Sequence, residues 1–493
     1  MYAIGYDIGS SSVKASIIRS TGGSVVATAK YPDQEFEIIA HQTGWAEQDP
    51  AMWWDAICKV TQRLLSETDI KSKDIESIGI AYQMHGLVLI DKEYQVLRPS
   101  IIWCDSRAVD IGNQAFKEIG EQHCLSHLLN PPGNFTAAKL KWVKDHEPDI
   151  YKRIHKILLP GDYINLQLTG KLNTTISGMS EGIFWDFQHN AISKELMDYF
   201  GFSDDHIPNV IPSFSIQGKV SAKSANATGL TEGTLVTYRA GDQPNNAMSL
   251  GVMDPGEVAA TGGTSGVVYG VVERPVYDRL GRVNCFAHVN HTKDQPRIGV
   301  LLCINGAGIL YSWLRQHIAK EGASFDVLED LIQSIPPGSQ GLRIIPFGNG
   351  AERMLQNENP RAQVNNLQFN IHTRAHMIRA GLEGVAFAFV YGLEIMQEIG
   401  LQVSKIRVGN DNLFQSASFS SIIADLSGCE LEIVNTTGAV GAARASRKAI
   451  GARDSDDQLA IVMTYYPKSS ADIYTHAYNL WKQDLEHLLT KTD

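Results

Sequence analysis

Residues 2–18 read YAIGYDIGSSSVKASII, an apolar run ending in Asp7, a polar turn and a returning β-like run over 13–18. A third run at 24–30 (SVVATAK) makes the opening a meander. Pro50 then opens a helical segment over 50–67, with Trp53, Trp54, Ile57 and Leu64 on related faces. Residues 76–82 form a buried strand that ends at Gln83-Met84-His85-Gly86. The run 98–105 (RPSIIWCD) repeats the pattern and ends in Asp105 and Arg107. Strands that finish in polar clusters, with helices between them, predict an α/β layer architecture.

Further along, helices are expected at 135–147 and 192–201. At 231–241 (TEGTLVTYRAG) the N-terminal pattern returns, and Asp242 stands where Asp7 stood. Two short β-runs at 257–272 flank the turn Thr261-Gly262-Gly263-Thr264-Ser265-Gly266. A long helix is expected near 374–398, then a strand at 404–409 ending in Gly409-Asn410-Asp411-Asn412, then a Gly-rich helix start at 436–446. The pattern reads as an internal duplication, with two α/β domains spanning 1–240 and 241–493.

Composition limits the function. The chain has 493 residues, 43% of them hydrophobic and 20% charged, with a net charge of −11. That is a globular composition, not a disordered one. The acidic balance argues against a nucleic-acid or anionic-membrane partner, so any phosphate would need local anion sites. Six scattered cysteines, none in a C-x-x-C pair, are expected to be reduced core residues of a cytoplasmic protein. The N-terminus lacks a basic leader and is not expected to be a signal peptide, and the apolar stretch 298–314 is too short to span a bilayer.

No P-loop and no dinucleotide fingerprint occurs, so phosphate binding falls to other turns. The turn after Asp7 offers backbone N–H groups and the Ser10, Ser11 and Ser12 hydroxyls, although a plain hairpin turn would look the same. The turn 261–266, with three glycines and two threonines, is the stronger candidate. Asp242 beside Gln243, Asn245 and Asn246 suits a general base, and equally an Asx-turn. His85 reads as a structural histidine or a ligand contact. Trp45 and Trp103 read as core or as faces for a polyol. Asp105, Arg107, Glu352 and Arg353 read either as interdomain ion pairs or as substrate groups.

Taken in order, DIGSSSVKA, GWAEQDPAMWW, YQMHG, RPSIIWCDSR, AAKLKWVKDHEPDIY, LLPGDYI, GDQ, ATGGTSG and LEGVAFA resemble the FGGY family of carbohydrate kinases over roughly residues 1–450. The resemblance implies two ribonuclease-H-like domains of the actin and hexokinase ATPase type, with the active site in the cleft between them. It implies ATP-dependent phosphorylation of D-xylulose to D-xylulose 5-phosphate. The alternatives are another pentulose or polyol kinase, an actin-like ATPase switch, or a catalytically silent sugar-binding regulator.

By the same resemblance, Asp7 would support catalysis and hold Mg2+, with Ser10, Ser11 and Ser12 near the transferred phosphoryl group. Met84, His85 and Gln243 would meet the sugar, and Asp242 would take its proton. Gly263, Thr264, Gly308, Gly409, Asn410 and Asn412 would hold ATP. Two positions depart from the family pattern. Gln243 stands where ketopentose kinases commonly carry Asn. In the turn Gly409-Asn410-Asp411-Asn412, Asn410 and Asp411 replace expected glycines, so nucleotide affinity or preference is expected to differ. Expected partners are a small-molecule sugar and ATP, with a homodimer left open.

Overall fold

In the computed structural model, which describes residues 1–452, 459–468 and 471–490, the chain builds two mixed sheets with the same internal plan. The first comprises β1 (Tyr2–Ile8), β2 (Val13–Arg19), β3 (Val25–Tyr31), β4 (Ile75–Tyr82), β5 (Phe214–Lys219) and β6 (Leu235–Gly241), in the order β5-β6-β4-β1-β2-β3. The second comprises β7 (Glu257–Gly262), β8 (Gly266–Val272), β9 (Asn284–Ala287), β10 (Ile298–Ile304), β11 (Lys405–Gly409), β12 (Leu431–Val434) and β13 (Ile461–Tyr465), in the order β9-β10-β8-β7-β11-β12-β13. In each, an antiparallel meander (β1-β2-β3; β7-β8-β10) adjoins a parallel trio (β1, β4, β6; β7, β11, β12).

This register corrects one correspondence. Asp242 follows β6, the last parallel strand of the first sheet, and the counterpart of β1 is β7, which ends in Thr261-Gly262 without an acid. The similarity around 231–241 arose because both β1 and β6 end at the same edge of one sheet, where polar residues are required.

The helices used below are α1 (Pro50–Ser66), α2 (Glu121–His127), α3 (Thr136–His146), α4 (Ile176–Glu181), α5 (Lys194–Phe200), α6 (Asp242–Ser249), α7 (Gly308–His317), α8 (Arg374–Glu398) and α9 (Gly438–Lys448). Helix α1 shows how sequence sets packing. Asp49 caps it by accepting from the Ala51 N–H, Pro50 starts it, and Trp53, Ile57, Val60 and Leu64 make one fully buried stripe against β2 and β3. Each of these side chains contributes roughly 1.5–3 kcal/mol by burial. Arg63 in the last turn suits the negative helix end.

The other face of the first sheet is covered by α9, which comes from the far end of the chain, and α9 packs on α6. Two glycines permit this approach. A Cβ on Gly5 would lie 2.0 Å from the Ala439 carbonyl oxygen, and one on Gly79 would lie 1.9 Å from that of Ala442. Ser77 and Ser446 hydroxyls meet at 2.8 Å, and the Thr237 hydroxyl donates to the Ser446 carbonyl at 2.6 Å. We expect Gly79→Ala to cost about 1–3 kcal/mol through forced separation of helix and sheet. Urea or thermal unfolding reads it, and an unchanged midpoint would mean that α9 yields freely.

Two expectations fail locally. Within 98–105 only Ser100–Ile101 is strand, because the chain turns away to bury Asp105 and Arg107. The cysteines are all free thiols, but only Cys124 and Cys285 are buried, and Cys104 is exposed. No helix among the described residues is long and apolar enough to cross a membrane.

Candidate active site

Both parallel trios aim their carboxyl ends at one cleft, where chain reversal leaves backbone donors and polar side chains facing outward. From the first sheet come Asp7 near the end of β1, Gln83-Met84-His85 after β4 and Asp242 after β6. From the second come Gly262-Gly263-Thr264 after β7, Gly409–Asn412 after β11 and Thr436-Thr437 after β12.

The loop 9–12 is held down by a chain of amides. Gly9 N–H bonds the Ser12 carbonyl, and Gln48 Nε2 donates to the Ser10 carbonyl at 2.7 Å. Gln48 Oε1 accepts from the Trp53 indole and from Gln83 Nε2. This explains part of GWAEQDP. In the rest, Glu47 pairs with Arg98 and Arg107, Ala46 N–H donates to Asp105, and Trp45 stacks on the Arg107 guanidinium at 3.8 Å. Asp105, Arg107 and Trp45 are therefore framework of the first lobe. Trp103 is exposed, with its indole N–H 3.5 Å from the Ser10 hydroxyl. Glu352 is also framework, accepting the Asn305 and Gly306 N–H groups at 2.8 Å just before α7.

His85 is strongly constrained. Its φ of 61° is a left-handed conformation that costs energy for a non-glycine residue. Its carbonyl accepts from Lys139 Nζ at 2.9 Å, and Lys139 on α3 is fully buried, its pKa drawn down to about 7 by that burial. The ring lies between Phe135 of the first lobe and Phe286 of the second, at 4.8 and 5.5 Å. Burial, then the Lys139 charge, push the imidazole down to about 3, so it is neutral at physiological pH. Since Nδ1 lies 2.9 Å from the Glu181 carbonyl, which only accepts, Nδ1 carries the proton and Nε2 is the acceptor.

Asp242 opens α6, with Gly241 as its N-cap. Burial and then the charge of Asp7 push its carboxyl up to about 7, while the amides of Gln243 pull it partly back. Asp7 is itself raised by burial, against Lys14, which stands opposite it on β2. Glu181 was not foreseen from sequence. It is buried beside Asp242, and a Cβ on Gly241 would lie 2.6 Å from both Glu181 Oε2 and Met84 Cγ. Its carboxyl is held well above the usual range, by burial first and by Asp242 second.

Two cavities open at these strand ends. One of about 300 Å³ brings Gly263, Thr264, Gly308 and Asn412 together under the stacked rings of Tyr311 and Phe325. Gly308 is needed because a Cβ there would lie 2.2 Å from the Gly263 carbonyl oxygen. Asn412 takes φ 50°, which asparagine tolerates better than most side chains. The other, of about 610 Å³, joins Asp7, Lys14 and Arg63 to Thr261, Gly409 and Asp411. Asn410, Ser10, Ser11, Ser12, Met84, His85, Asp242 and Gln243 line neither cavity. Of the three non-glycine turn residues, only Asn412 narrows the smaller one.

Known proteins resemble the chain throughout. The profile of the FGGY family of carbohydrate kinases, N-terminal domain, matches residues 2–249, and that of its C-terminal domain matches 258–449. The xylulose kinase of Bacillus subtilis is 28% identical, over 99% of this chain and 97% of its own length. That of Escherichia coli is 28% identical, over 89% and 87%. The crystal structure of xylulose kinase from Rhodospirillum rubrum superposes with a TM-score of 0.88 at 27% identity, covering 99% of both chains.

Proposed function

Because the chain belongs to the FGGY family of carbohydrate kinases, we propose that it transfers the γ-phosphoryl group of ATP to D-xylulose, giving D-xylulose 5-phosphate, with Asp242 as general base. The observation that carries this reading is one carboxylate, raised to about 7, at the end of β6, beside the β4 end that carries Met84 and His85 and within reach of the Asp7 charge. Such a group is half-ionised near neutral pH, which is where a base accepts a proton most usefully.

In this reading residues 1–240 form the sugar side and 241–493 the nucleotide side. His85 Nε2 accepts a hydrogen bond from a sugar hydroxyl, and Met84 packs beside it. Gln243 sits one residue beyond the base, where it orients the acceptor hydroxyl. ATP lies with its base in the smaller cavity against Tyr311 and its phosphates along the Gly263-Thr264 backbone and Lys14. Ser10, Ser11 and Ser12 face the transferred group. Asp7 suits a divalent cation: it lines the larger of the two cavities, and its charge is close enough to the Asp242 carboxyl to raise it. Mg2+ there would neutralise polyphosphate charge. Phosphoryl transfer needs mainly alignment and neutralisation, and closure of the lobes keeps water out.

The test is ADP release over a panel of ketoses and polyols. D-xylulose should give the highest kcat/KM, while a glycerol or ribulose optimum would transfer the assignment to another polyol or pentulose. Sugar-independent turnover would favour an ATPase switch, and no turnover a silent regulator.

His85→Ala should raise the sugar KM by the equivalent of about 1–3 kcal/mol while leaving the ATP KM almost unchanged. Because His85 is neutral well above pH 3, sugar KM should show no histidine titration between roughly pH 6 and 8. An unaltered sugar KM in the variant would return His85 to a packing role.

A further inference from the structure

Away from the cleft, His127 at the end of α2 and His189 in the turn after Trp185–Asp186 converge on one carboxylate. Asp186 Oδ2 lies 3.0 Å from His127 Nδ1 and 2.8 Å from His189 Nδ1. Ligand atoms of the three residues lie within 4.8 Å of one another. We infer that His127, Asp186 and His189 form a binding site for a divalent transition-metal ion such as Zn2+ or Ni2+, separate from the nucleotide-bound magnesium.

Three features favour a site over a shared hydrogen bond. First, the carboxylate is positioned by the backbone: Asp186 Oδ1 accepts the Gln188 and His189 N–H groups at 2.8 and 3.0 Å, leaving Oδ2 for the imidazoles. Such support around a ligand is what orients metal sites. Second, the nitrogen–oxygen separations are close to those between ligands around an ion bonded at about 2.0–2.2 Å. A single ion can replace both hydrogen bonds with little movement, each neutral imidazole that carries its proton on Nδ1 shifting it to Nε2 as Nδ1 becomes a ligand. Third, a further imidazole is at hand. His123 stacks on His127 at 4.0 Å, and its Nε2 lies 2.7 Å from Glu195 Oε2. A cavity of about 740 Å³ lined by His123, Asp186, His189 and Glu195 leaves the group open to solvent and to an incoming ion. Two imidazoles and one carboxylate select borderline divalent ions over Mg2+, which prefers oxygen.

The ion would fasten α2 to the 185–192 hairpin, at the edge where Phe187 meets His291 of the second lobe and Gln122 bonds the Tyr277 hydroxyl. Binding to the folded state alone should therefore raise Tm, and go on raising it with the logarithm of free ion concentration above Kd. The test uses tag-free, chelator-treated enzyme in excess Mg2+, titrated calorimetrically with Zn2+ and followed spectroscopically with Co2+. We expect one saturable equivalent and a Tm increase. His189→Ala, at an exposed position that leaves folding intact, should weaken binding by at least the roughly 10–100-fold that loss of an outer-shell partner costs. Asp186→Asn should do the same, and Cys104→Ser should not. Absence of a saturable equivalent in the wild type, unchanged binding in His189→Ala, or loss in Cys104→Ser would overturn the assignment.

Discussion

Asp242→Asn is expected to lower kcat by roughly 10²–10⁴-fold, the usual cost of losing a positioned base. Asparagine keeps the shape and the helix-opening position of Asp242 but cannot take the hydroxyl proton. Nucleotide binding should survive, because the smaller cavity is lined by residues from 262–264, 308–312, 325–329 and 412–416 and Asp242 is not among them. The wild-type enzyme should show the matching pH dependence. The base works when ionised, so kcat/KM should climb as pH rises through about 7 and level off above it. The variant should have lost this limb. Near-normal turnover of xylulose by Asp242→Asn, or a retained limb, would place the base elsewhere.

Asp7→Asn should produce a second large loss with a different signature. A cation-holding carboxylate contributes several kcal/mol of charge stabilisation, so a fall on the order of 10²-fold is expected. Raised magnesium should recover part of it, which it should not do for Asp242→Asn. The pH profile should also move. After burial, the Asp7 charge is the largest cause of the elevated Asp242 value. Removing that charge makes ionisation of Asp242 easier, so the acid limb should shift to lower pH. If the limb stayed near 7, the titrating group would not be a neighbour of Asp7.

Strands and helices of the sheets were legible because their periodicities are long and unbroken. The runs 2–8, 13–18 and 374–398 match β1, β2 and α8 almost residue for residue. The glycine turns at the strand ends were visible too, since tight approach demands glycine whatever the partner. What sequence could not show was anything fixed by distant contact. Asp242 was assigned to the start of a second half, because only pairing with β4 reveals β6 as part of the first sheet. Glu181 lies in an unremarkable run, ISGMSEGIFWD, and gains its character from Tyr82, Asp162 and Asp242 around it. Lys14 did carry a signal, a lone cation in the apolar strand VKASII opposite Asp7. Asp105 and Arg107, read from sequence as interdomain ion pairs or substrate groups, instead form an ion-pair framework within the first lobe, where Arg107 also pairs with Glu47, sixty positions away.

The seating of α9 on Gly5 and Gly79 bears on the order in which the protein can mature during synthesis. β1, β2, β4 and β6 leave the ribosome early, yet the surface that closes their sheet is made of residues 438–448. For the whole interval the growing chain carries a sheet with one uncovered face, where two glycines leave backbone open to water. Completion of the first lobe thus waits on residues 438–448, translated long after β6. A chain released before α9 would carry Asp7, Met84, His85 and Asp242 without a stable lobe to present them, which is a natural point for quality control to discard it.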